Sequence, residues 1–67
     1  MMPALRAAVI GATVRRLLRD HGRPLHEADL LDSFRGRADP DDVLAVLAVL
    51  LKNGLIEQPA PGWWSAS

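Results

Sequence analysis

The chain has 67 residues, 49% of them hydrophobic, with eight basic side chains balancing eight acidic ones and no cysteine. That is one domain at most, too apolar to be disordered, and without cysteine it holds neither disulfides nor thiolate metal sites. Hydrophobic packing alone must hold the fold, and a chain this short hides only about 60% of the surface its unfolded state exposes, so self-association would help it.

The first helix is predicted from about Ala4 to His21. Ile10, Val14, Leu17, Leu18 and His21 recur at three- and four-residue steps, which places them on one face. Arg15, Arg16 and Arg19 fall on or beside the opposite face. Gly22 supplies the left-handed residue that ends a helix, and Pro24 prevents a restart. Gly11 inside the helix costs about 1 kcal/mol against alanine, so a neighbour is expected to approach closely there. The uncharged run Ala7 to Val14 has no basic stretch before it and is closed by Arg15-Arg16, so it reads as helix rather than as a secretory leader. Nothing approaches the apolar length of a membrane span, and a cytoplasmic location without membrane contact is expected.

Pro24-Leu25 is too short for an independent strand but can pair with a later one. The second helix is predicted from about Glu27 to Arg35, burying Leu30 or Leu31 with Phe34 and ending at Gly36. Glu27 and Asp29 stand in its first turn, where the helix dipole favours negative charge. For the third helix, about residues 40–53, Asp39 is the N-cap and Pro40 fits the first position. Asp42 stands at the third position as a short version of a capping-box acid. The apolar run Val43 to Leu51 follows, and Gly54 closes the helix with Leu55 placed to pack back on it. A hairpin over about residues 55–65 remains: Leu55-Ile56-Glu57-Gln58 as a strand, Pro59-Ala60-Pro61-Gly62 as a turn, and Trp63-Trp64-Ser65 as the return strand. The expected fold class is therefore mainly α with a small β-hairpin that lies on three helices.

The order helix, short extended piece, helix, turn, helix, hairpin resembles the winged helix-turn-helix superfamily. The residues that carry the likeness are Gly22-Arg23-Pro24-Leu25 before the second helix and Leu50-Leu51-Lys52-Asn53-Gly54-Leu55-Ile56 entering the wing. The latter is similar to a Leu-x-x-x-Gly-Leu-Ile junction found in many winged helices. The resemblance covers nearly the whole chain and identifies an architecture, not an individual family. It implies a third helix that enters the major groove of DNA and a wing that touches an adjacent groove or the phosphates.

The side chains fit that implied task poorly. With Leu44, Leu47, Leu50 and Leu51 on the core face, the outward positions of the third helix are Asp41, Asp42, Ala45, Val46, Val49, Lys52 and Asn53. Only Lys52 and Asn53 suit nucleic acid, and the wing from Glu57 to Gly62 has no cation, whereas DNA affinity comes largely from Lys and Arg at phosphates. Charge is also polarised along the chain. Residues 1–23 carry five arginines against Asp20, a net +4, and residues 24–42 carry Arg35 and Arg37 against six acids, a net −4. Such a chain can make complementary contacts with a copy of itself or with a partner; the plainer alternative is two solvated faces that differ by chance.

An exposed Ala45-Val46-Val49 stripe suits a protein contact; the competing reading is a third helix buried all round by the wing and by Trp63 or Trp64. Strand alternation sends one of those rings inward, covering the third helix, and one outward as a binding anchor or as mere hairpin packing, on an edge strand that a partner can complete. His21 and His26 lack the spacing of a zinc site; His21 is read as a helix-terminus residue and His26 as an unusual occupant of the position that caps the second helix. No phosphate loop, nucleophile elbow or paired-carboxylate pattern occurs, so no catalytic, cofactor or metal residue is expected.

Two functions remain open. The first is a non-enzymatic module for protein–protein interaction or homodimerisation, using Ala45, Val46, Val49, Trp63 and Trp64. The alternative is a DNA-binding regulator acting as a dimer, with Arg15, Arg16, Arg19, Arg35, Arg37, Lys52 and Asn53 on the nucleic acid. A third reading is an accessory subunit whose partner chain carries the activity.

Overall fold

The structure is a computed structural model that describes residues 6–67. These form three helices and a three-stranded antiparallel sheet in the order α1 (Ala7–His21), β1 (Leu25–His26), α2 (Glu27–Ser33), α3 (Pro40–Lys52), β2 (Ile56–Ala60) and β3 (Trp63–Ala66). No helix among the described residues is long and apolar enough to cross a membrane.

α1 begins at Ala7 because Arg6 is still extended, at φ −72° and ψ 154°; the expected earlier start at Ala4 and Leu5 lies outside the described residues. Its apolar stripe buries Ile10, Val14 and Leu18, with Leu17 half-buried. His21, expected on that face, is exposed, because the helix runs past the core before Gly22 ends it at φ +75°. Arg15, Arg16 and Arg19 are exposed as expected.

α2 buries Leu30 and Phe34 and leaves Leu31 half-buried. It stops at Ser33, two residues before the expected end, because the chain tightens: Phe34 N–H donates to the Leu31 carbonyl (3.1 Å) and Arg35 N–H to that of Asp32 (3.1 Å). α3 starts as expected, with Asp39 Oδ1 accepting from Asp41 N–H at 2.9 Å. It ends in a Schellman motif: Gly54 N–H donates to the Leu51 carbonyl (3.0 Å) and Leu55 N–H to that of Leu50 (2.9 Å).

The phase of α3 differs from the expectation. Val43, Val46, Leu47 and Leu50 are buried, while Leu44 is half-buried and Leu51 is 36% exposed. Every residue from Val43 to Leu51 is apolar, so the local pattern contains no polar side chain to fix which stripe faces inward. The neighbour decides. Gly11 of α1 lies against Val46 and Leu50, so packing on α1, not the local pattern, turns Val46 toward the core.

The sheet order is β1-β3-β2, so the Trp-bearing strand is central and not an edge open to a partner. Leu25 faces Trp64 and His26 faces Trp63, the later pairing expected of the short segment after Pro24. β2 runs to Ala60, and only Pro61-Gly62 turns, with Gly62 at φ +79°. Pro59 is therefore inside a strand, not in the turn. It is tolerated because β2 is an edge and because the register shifts between Glu57↔Ser65 and Ala60↔Trp63, leaving Gln58 and Pro59 opposite Trp64 alone. β3 packs on α1, and the strand against α3 is β2, so the two helices and the sheet close one core with Ile56 and Trp64 in it.

Candidate protein-interaction groove

α1 and α3 leave an open furrow between them, floored by core residues of both helices. On α1 the spacing of Ala8, Gly11, Ala12 and Arg15 puts small side chains and then one cation along one line of the helix. On α3 the matching line is Asp42, Ala45 and Val49. Because Ala8, Gly11 and Ala12 carry at most a methyl group, the space above them stays open, and a groove of about 700 Å³ results. Its floor is Ile10, Val46 and Leu50; its lip is formed by Val49, 57% exposed, and Leu55, 40% exposed. Leu55 owes its place to the Schellman ending of α3, which turns the chain back over the helix.

The groove has an electrical direction. Arg15 and Asp42 are the two charged residues among its lining, both exposed, and among the described residues neither forms an ion pair. Asp42 stands in the first turn of α3. Arg15 also lines a smaller recess of about 180 Å³ with Arg19, Leu55, Ile56, Ala66 and Ser67, beyond the other end of α3. An acid therefore marks one end of the groove and Arg15 the other, with Arg19 in the recess beyond it.

Of the residues expected to make a protein contact, Ala45 and Val49 are exposed on this groove. Val46 is not an outward residue: it is buried and forms part of the groove floor, a correction that follows from the rotated phase of α3. Trp63 and Trp64 line neither the groove nor the recess. Trp64 is core, with its indole N–H donating to Glu27 Oε1 at 3.3 Å. Trp63 is 42% exposed, as alternation requires, and meets the His26 ring edge-on at a centroid distance of 5.1 Å. His26 Nδ1 accepts from Ala28 N–H at 3.1 Å, so this unusual occupant of the capping position does cap α2. Glu27 N–H donates to the Gly62 carbonyl at 2.8 Å, so the turn between β2 and β3 clasps the start of α2. The two halves of the expected contact surface are thus separate places on the molecule.

The expected nucleic-acid residues are also dispersed. Arg15 and Arg19 share the recess. Arg16 lies 3.8 Å from Asp20 and Arg35 3.4 Å from Asp32, all four well exposed. Arg37 and Lys52 are exposed, and the Asn53 side chain is engaged by its own helix, donating to the Val49 carbonyl at 3.0 Å. A reading of the third helix alone misses Ala8, Ala12 and Leu55; the one local signal for the two alanines is Gly11, a glycine inside a helix with Ala8 one turn before it and Ala12 next to it.

No family model, curated protein or solved structure matches this chain.

Proposed function

We propose that the chain is a non-enzymatic, winged-helix-type module that mediates protein–protein contact through the groove between α1 and α3. The order of its elements supports the architectural part of this reading, since a helix, a short pairing segment, two helices and a hairpin are what the resemblance requires. One observation carries the functional part: Val49 stands 57% exposed on the lip of an open apolar groove, in a domain with little core to spare. Alanines, a glycine and branched aliphatics suit surface burial, not bond-making, and the two charges at the ends suit orientation of what docks.

The test is site-specific crosslinking in the native host. A photo-reactive phenylalanine analogue replaces Val49, and in separate strains Trp63 or Glu57. Covalent protein adducts are expected from position 49 and not from position 57 on β2. Equal yields from 49 and 57, or none from 49, would remove the groove as an interaction surface.

A second reading, a DNA-binding regulator acting as a dimer, is favoured by one feature, the meeting of Arg15 and Arg19 in a single recess. Phosphate contacts are strongest at low salt, so absence of DNA binding at about 50 mM salt would dispose of it.

A further inference from the structure

We infer that the occupant of the groove is a second copy of this chain, docked antiparallel about a two-fold axis that crosses the groove near Ala45. The inference rests on the groove being a protein-binding surface and specifies its partner. In a two-fold interface one patch must be its own complement, every contact occurring twice. This patch meets that condition in shape. It carries a knob, the exposed Val49, beside a hole, the methyl-or-less line Ala8-Gly11-Ala12, so each copy offers what the other lacks.

It meets the condition in charge as well. Asp42 is at one end and Arg15 at the other, with Arg19 behind it. An antiparallel two-fold sets Arg15 of each copy against Asp42 of the other, whereas a parallel arrangement sets like charges together. The balance of the whole chain agrees, since its net +4 falls in residues 1–23, which include α1, and its net −4 in residues 24–42, which end at the first turn of α3. A chain with zero net charge has no general repulsion to overcome on pairing.

Sedimentation velocity across the micromolar range, at low and moderate salt, reads the outcome on the full chain. The wild type should dimerise, more weakly as salt rises. Val49→Glu should be monomeric. Arg15→Asp and Asp42→Arg, each alone, should self-associate at least about tenfold more weakly, because one substitution makes both ends of the groove acidic and the other makes both basic. Mixing the two single variants in equal amounts should restore dimers, now mixed ones, since every pair of facing ends is again opposite in sign. All three substitutions fall on exposed residues, and circular dichroism melts check that the fold is kept.

A wild type that stays monomeric throughout would overturn the inference, as would a dimer indifferent to Val49→Glu and to the charge variants. A monomer that still crosslinks from position 49 to a different protein refutes the second copy and leaves the interaction reading standing. A monomer without crosslinks from that position removes both.

Discussion

Gly11 of α1 lies so near Val46 of α3 that a Cβ on the glycine would stand 3.6 Å from Val46 Cγ1 and 3.8 Å from Leu50 Cδ2. Those are ordinary van der Waals distances, so the helices approach closely without needing glycine for room. The backbone does not need it either, because Gly11 is absent from the glycines with positive φ. Gly11→Ala should therefore stabilise the domain by about 0.5–1 kcal/mol through helix propensity and the smaller entropy of the unfolded chain. A urea denaturation midpoint reads this; a lower midpoint would mean that the helices leave no space for the methyl group.

The rotated phase of α3 makes a sharper prediction. Val46 is buried and Val49 is 57% exposed, although both were expected outward from sequence. Val46→Ala should cost about 2 kcal/mol by leaving a cavity against Gly11, a large share of the stability of so small a domain. Val49→Ala should change stability by no more than about 0.5 kcal/mol. The pair is read by the same denaturation experiment, and equal costs would show that the phase is wrong.

What was legible in the sequence follows from how local each cause is. Asp39 and Gly54 were readable because a cap or a left-handed turn is decided by a few adjacent residues, and both act as expected. The inward stripe of α3 was not readable, because nine consecutive apolar residues from Val43 to Leu51 fit any phase and packing against α1, distant in the chain, selects one. Pro59 spoke for a turn, yet the bulge that admits it to β2 exists only through pairing with β3. Half of the groove comes from α1, so no reading confined to α3 finds it. The alternation of Trp63 and Trp64 was correct, while the central place of their strand depended on β1 pairing across the sheet.

His26 replaces the usual hydroxyl or carboxamide cap at the start of α2 through its Nδ1, which accepts from Ala28 N–H. The same ring meets Trp63 edge-on. His26→Ala removes both contacts and should cost about 1 kcal/mol, most of it the cap. His26→Asn restores the capping acceptor and should recover most of that loss. Thermal melts of the three proteins separate the two contributions, and a His26→Asn melt no better than that of His26→Ala would assign the effect to the aromatic contact instead.

Trp63 and Trp64 differ enough in exposure, 42% against 5%, to serve as separate probes. In Trp63→Phe the remaining indole is buried and bonded to Glu27, so its emission should resist quenching by acrylamide until the chain unfolds. In Trp64→Phe the remaining indole is on the surface and should be quenched readily. That variant also loses the bond to Glu27 and part of the core, and should be less stable by about 1–3 kcal/mol. The exposed probe decides between the groove and the β2–β3 hairpin as the contact surface. Trp63 lines no part of the groove, so in Trp64→Phe its quenching should stay constant as protein concentration rises through the dimerisation range. Quenching that falls with concentration would place Trp63 in the interface and move the contact from the helices to the hairpin.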